Sequence, residues 1–155
     1  MAVDRLHVVG DIYDRGARPD RILDMLMEHH RVDIQWGNHD IVWMGAAAGS
    51  AVCVATVLNS ALQYNTLAIV ENTYGISLRD LIGFAQETYK GCTWFMPRSE
   101  DDAYYVKNRM DTLSKAHKAI AIIMFKLEGQ LIRRHPEYGM DDRLLLEHID
   151  YTAHT

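Results

Sequence analysis

LHVVGDIYDRG (residues 6–16) and VDIQWGNHD (residues 32–40) are the two stretches from which this chain is read. Each is a short apolar run, Leu6–Val9 and Val32–Trp36, that ends in a glycine followed by polar residues. Between them, Pro19 to His30 carries Ile22, Leu23, Leu26 and Met27 at helical spacing. The order predicts a β-α-β unit with parallel strands and a right-handed crossover. In a parallel sheet the carboxyl ends of neighbouring strands share one edge, where α/β proteins bind their ligands. Asp11, Asp14, Arg15, Asn38 and His39 are therefore expected to meet at one place.

Those residue types suit a divalent metal beside a phosphate. A carboxylate, an amide oxygen and an imidazole match ions of the manganese, iron or zinc kind. Asp11 follows its strand directly and has two oxygens with which to bridge ions, and Asn38 can offer its carbonyl oxygen. His39 can protonate a leaving oxygen if a partner fixes its tautomer, and Asp14, three residues past Asp11, is the candidate partner. Arg15 presents a planar fork of donors matched to phosphate oxygens. Gly10, Gly16 and Gly37 allow angles and approaches that a Cβ would block. Taken alone, the two Asp read rather as an Asx-turn or cap, Asn38 as a turn residue and His39 as a solvated imidazole. The order G-D-x-x-D-R-G, helix, G-N-H-D favours the metal-phosphoester reading. Asp40, ahead of an apolar run, reads as a plain helix N-cap.

The two motifs resemble those of the calcineurin-like metallophosphoesterases. The wider chain is similar to one branch, the class III manganese-dependent bacterial fructose-1,6-bisphosphatases. The narrower likeness rests on LHVVGDIYDRGARPD, VDIQWGNHDIVWMGAAAGS, YGISL, KAIAIIMFKLEGQLI and MDDRLLLEHIDY, from Leu6 to about Tyr151. The resemblance implies an α/β fold: a partial metallophosphoesterase core over residues 1–40, part of a β-sandwich, and a mostly helical continuation of the same domain over 41–155. It implies Asp11 and Asn38 as metal ligands in a two-metal Mn²⁺ site, and His39 as the group assisting the leaving oxygen. Asp14 would orient His39, and Arg15 would hold phosphate. The implied activity is hydrolysis of the 1-phosphate of fructose 1,6-bisphosphate in gluconeogenesis. Alternatives are a related phosphatase acting on a phosphoprotein or dinucleotide, or a non-catalytic interaction module. The family also takes ligands from an Asp-x-His on an earlier strand and from downstream histidines. No Asp-x-His precedes Leu6, so the chain reads as an internal segment whose own activity is weak or nil.

Composition sets the outer limits. With 155 residues, 48% apolar and 24% charged, the chain suits one soluble domain. A formal net charge of −5 without a Lys/Arg cluster argues against a nucleic-acid surface. Cys53 and Cys92 share no metal-like spacing and read as small buried hydrophobes. No signal peptide opens the sequence, so a cytoplasmic location is expected.

The rest reads as helix. Residues 41–70 carry no charge, but the Ala- and Gly-rich run beginning at Ile41 leads straight out of the His39 motif. A buried helix through Leu58, close-packed along Gly45–Gly49, is expected rather than a membrane span. Asn59–Tyr64 continues it, and Asn65–Thr73 turns the chain. Ser77 would cap a helix with Leu78, Leu81, Ile82 and Ala85 inward, ended by Gly91. Residues 92–102, with the acidic Ser99–Asp102 run, read as a solvated loop. Ala103–Arg134 is the longest helix, its stripe Leu113, Ala116, Ile120, Ile123, Met124, Leu127 and Leu131, with His117 packed near it. Pro136 stops it, and a short helix starts at Asp141 before a fraying tail that holds His154. A sheet of two strands is marginal alone, so exposed strand edges and helical faces predict self-association.

Overall fold

The structure, a computed structural model, describes residues 4–98, 107–150 and 152. Strand β1 (Leu6–Val8) and strand β2 (Val32–Ile34) pair in parallel, with Leu6, His7 and Val8 opposite Val32, Asp33 and Ile34. Helix α1 (Pro19–Glu28) connects them. Among the described residues the further α-helices are α2 (Asn38–Ala47), α3 (Ala51–Gln63), α4 (Arg79–Thr88) and α5 (Lys107–Arg134). The mixed, mostly helical α/β character agrees with the reading of the sequence.

The core lies among α3, α4 and α5. Ala55, Ala61 and Leu62 of α3 meet Ala85 of α4 and Leu113, Ala116, Ala119 and Ile120 of α5, with Leu67, Val70 and Leu78 closing the gap. Small residues on α3 and α5 let the helix axes approach closely, and Leu62 and Val70 fill what remains. Of the stripe expected along α5, Leu113, Ala116 and Ile120 lie in the core and Ile123, Met124 and Leu127 pack against it, with Leu81 and Ile82 of α4. Leu131 is half-buried outside that cluster. His117 is buried, and Phe95 O lies 3.0 Å from its Nδ1. Burial, aided by the nearby Arg98 charge, pushes its pKa below the ordinary value, while the Phe95 hydrogen bond opposes that shift.

Several expectations are corrected. Helix α1 ends at Glu28 rather than His30, because His29 turns extended (ψ 132°) and its ring bonds to Arg31 instead. Of its expected inner face, Leu23 and Leu26 are half-buried, but Ile22 is 44% and Met27 78% exposed, since no layer of the described chain covers them. The apolar run from Ile41 is two helices, not one. It breaks at Gly49, whose φ of +90° a side chain would resist, and Ser50 caps α3 by accepting from the Cys53 amide. Ile41, Met44 and Val54 are exposed, so this run is not a fully buried helix. Gly45 does allow close packing: a Cβ there would come within 2.5 Å of Cys53 Sγ. No described helix is long and apolar enough to cross a membrane.

Residues 67–73 wind helically and end in a π-turn, Ile69–Thr73, where a plain turn was expected. Ser77 is not the N-cap expected for α4: Leu78 holds that position without a side-chain cap bond, and Ser77 Oγ accepts from the Arg79 amide at 3.3 Å one residue ahead of it. Gly91 does not end that helix. The helix stops at Thr88, and Gly91 instead sits tight against the Asp111 carboxylate. Both cysteines are half-buried rather than buried. After Pro136 the chain makes short 3-10 turns at Asp141–Arg143 and Leu145–His148 in place of a helix. The acidic run 99–102, the start of the longest helix at 103–106, and His154 lie outside the described residues.

Candidate active site

The two strand-end loops meet backbone to backbone. Gly10 has a φ of +89°, and a Cβ on it would run into the Gly37 amide and come within 2.6 Å of Gln35 O. A Cβ on Gly37 would overlap the Asp11 carboxylate. Only glycine fits at either position. Gly16 has no such constraint, since a Cβ there would meet only Ile12 O at 3.8 Å, and the expectation that it too needs glycine is corrected.

The turn after β1 is strained at two further points. Asp11 and Arg15 hold φ of 53° and 57°, in the left-handed region that non-glycine residues avoid. Each such residue costs on the order of 1 kcal/mol or more and persists where its surroundings fix it. Here the Asp14 amide donates to Asp11 O at 3.1 Å, closing the turn. The strain aims Asp11 at the first turn of α2, where Asp11 Oδ1 accepts from the His39 amide at 3.3 Å. An anionic group against a helix N-terminus is favoured by the exposed amides there.

Four of the five expected residues are connected directly. Asp14 Oδ1 stands 3.3 Å from His39 Nε2 and 3.4 Å from Arg15 Nε, so one carboxylate oxygen serves both. Asp11 touches the His39 backbone. Asn38, the fifth, lies between Gly37 and His39, the two residues that Asp11 contacts, and is exposed on the first turn of α2. The Arg15 guanidinium lies over the Tyr64 ring, 4.3 Å from its centroid.

Two features of the site were not read from the sequence. Asp40 is 2% exposed, not a plain cap. Its Oδ2 accepts from the Gly37 amide at 3.0 Å and its Oδ1 from the Tyr13 amide at 3.1 Å, so it sits at the third position of α2 and ties the loops together. An acid three residues after Gly37 was the available signal for a capping box. The second feature is an aromatic tier. Tyr13 stacks on Trp43 with ring centroids 4.4 Å apart, and its hydroxyl shares a 2.6 Å hydrogen bond with that of Tyr74. Burial first, and the Tyr74 bond second, push the Tyr13 phenol well up from its ordinary pKa. Nothing in local spacing announces this contact, which joins residues 61 positions apart.

An apolar cleft of about 560 Å³ opens beside the tier, lined by Leu23, Trp36, Trp43, Met44, Val54 and Ile76 among others. None of the five expected site residues lines it. They lie instead along the strand-end edge. The oxygen donors of Asp11 and Asn38 suit a hard divalent ion. Among the described residues no group of three or more His, Cys, Asp or Glu is gathered to hold a metal.

The fold is that of a mixed, mostly helical α/β protein whose two parallel strands end at one edge. The chain belongs to the Firmicute fructose-1,6-bisphosphatase family, whose family model matches residues 1–155. It is 54% identical over 157 residues to the class 3 fructose-1,6-bisphosphatase of Listeria innocua, covering 100% of this chain and 24% of that protein. It is 52% identical to a class 3 fructose-1,6-bisphosphatase of Clostridium beijerinckii at the same coverage. It is 50% identical over 153 residues to that of Alkaliphilus metalliredigens, covering 97% of this chain and 23% of the relative. The chain thus spans about a quarter of the length of the curated relatives it matches. No solved structure matches it.

Proposed function

We propose that this polypeptide supplies part of a two-metal site that removes the 1-phosphate of fructose 1,6-bisphosphate, within a calcineurin-like metallophosphoesterase fold. Residues 1–40 would be a piece of its core and 41–155 the helical continuation of the same domain. The observation that carries the reading is the convergence of Asp11, Asp14, Arg15 and His39 on one strand-end edge, in a chain of the fructose-bisphosphatase family. Asp11 and Asn38 would hold Mn²⁺, with the remaining ligands supplied from elsewhere. When bound, such ions acidify water and neutralise charge on the phosphoryl group.

The protein's own groups would then divide the work. Arg15, 61% exposed at its side chain, offers its outer N–H groups to phosphate oxygens. His39 donates a proton to the departing sugar oxygen from one ring nitrogen. Asp14 holds the imidazole in place at 3.3 Å. A cytoplasmic location goes with this reading, since that is where a sugar bisphosphate would be met.

The test is phosphate release by the whole protein with Mn²⁺, comparing fructose 1,6-bisphosphate with a phosphopeptide and a diadenosine tetraphosphate. Preferred hydrolysis of the sugar bisphosphate to fructose 6-phosphate, abolished by chelation, is expected. Preference for either other substrate, or turnover indifferent to chelation, would overturn the reading.

A further inference from the structure

We infer that Tyr64 is a positioning residue for phosphate binding, acting through Arg15; the inference deepens the proposed function and rests on it. Arg15 follows a strained turn with φ 57° and projects a long side chain that is 61% exposed. An exposed arginine samples many rotamers, and ordering it costs up to ~2 kcal/mol of side-chain entropy. Asp14 alone does not fix it. The Asp14–Arg15 contact is long at 3.4 Å and half-exposed, and the same oxygen is shared with His39. Exposed pairs of this kind contribute little.

The ring of Tyr64 supplies what Asp14 cannot. The guanidinium's central carbon lies over the ring, 4.3 Å from its centroid. Stacking on an aromatic face fixes the plane of a guanidinium while leaving its edge N–H groups free to point at an oxyanion. Tyr64 is itself held. It ends α3, its amide donates to Ser60 O at 2.9 Å, and Asn65 with φ 56° turns the chain immediately after it. The helical part of the chain therefore presets an arginine that belongs to the strand-end loop. The ligand class is a phosphate monoester or inorganic phosphate.

The experiment uses the whole protein and reads KM for fructose 1,6-bisphosphate, inhibition by inorganic phosphate, and kcat. Tyr64→Leu is expected to raise both KM and the phosphate inhibition constant about three- to tenfold, with kcat changed less than twofold. Tyr64→Phe, which keeps the ring face, restores both constants. Pentafluorophenylalanine at position 64 keeps the shape but inverts the ring's charge distribution, so it behaves as leucine even if Tyr64→Leu folds poorly. In an Arg15→Ala background, Tyr64→Leu adds nothing further. The inference is overturned if Tyr64→Leu and the fluorinated ring leave both constants unchanged, or if they act equally without Arg15. If Arg15→Ala itself leaves both constants unchanged, the phosphate role of Arg15 fails and the proposed function is damaged along with the inference. If Arg15→Ala is impaired while the ring variants are silent, only the role of Tyr64 falls.

Discussion

Asp40 reaches from the second strand-end loop to the first, its Oδ1 accepting from the Tyr13 amide at 3.1 Å while its Oδ2 accepts from Gly37 at 3.0 Å. The carboxylate is buried, so both backbone donors depend on it. Charge-assisted hydrogen bonds of this kind contribute about 1.5 kcal/mol each or more. Asp40→Ala is expected to lower stability by about 3 kcal/mol and Asp40→Asn by about half as much, read from urea unfolding midpoints. Equal stability of all three proteins would show that the loops are held by something else.

Gly37→Ala tests the same junction from the side of packing. The added Cβ overlaps the Asp11 carboxylate and must push it from the first turn of α2. Overpacking costs typically about 1–3 kcal/mol, and that range is expected here from thermal or denaturant unfolding. Gly16→Ala, where the nearest neighbour is Ile12 O at 3.8 Å, is expected to change stability by less than about 0.5 kcal/mol. A reversed order of the two variants would contradict the close approach of Gly37 and Asp11.

His39 and Asp14 make a separable kinetic prediction in the whole protein. His39→Asn removes the proton donor and is expected to lower kcat by roughly 10²-fold or more. Asp14→Asn leaves the imidazole in place but unsupported, and a smaller loss of kcat is expected. Steady-state turnover at saturating substrate decides the order. An Asp14→Asn enzyme slower than His39→Asn would show that Asp14 does more than orient the ring.

His117 gives the fold a pH dependence of known sign. Its pKa is held below the ordinary value of 6.5, so the unfolded chain binds the proton more readily than the native one. Stability contributed by neutral, buried His117 is present above about pH 6.5 and falls as the pH drops below it. Denaturant unfolding between pH 7.5 and 5 should show this decline, and His117→Gln should flatten it. A decline unchanged in the variant would assign the effect to other groups.

The sequence was most informative where backbone constraint and chemistry coincide. Gly10, Asp11, Gly37 and His39 sit in short motifs whose spacing implies strand ends, and two paired strands with one connecting helix bring those ends together whatever follows. The α5 stripe was legible because Leu113, Ala116 and Ile120 repeat at helical intervals and all face the core. Long-range tertiary choices were not legible. Arg15 over Tyr64 and Tyr13 against Tyr74 join residues with no sequence relation. The outer face of α1 misled for a different reason: periodicity reports that Ile22 and Met27 are suited to burial, not that a covering layer is present. The run from Ile41 reads as one helix when Gly49 is taken for a small packing residue; in the structure Gly49 is the break and Ser50 the cap that follows it.

The most direct test of the shared metal-phosphate edge is calorimetric titration of Mn²⁺ into the whole protein and its Asp11→Ala variant. Loss of outer partners weakens metal sites by about 10- to 100-fold, so loss of a ligand is expected to weaken binding by more than about 100-fold. Mn²⁺ binding by Asp11→Ala as tight as that of the unmodified protein would contradict the account.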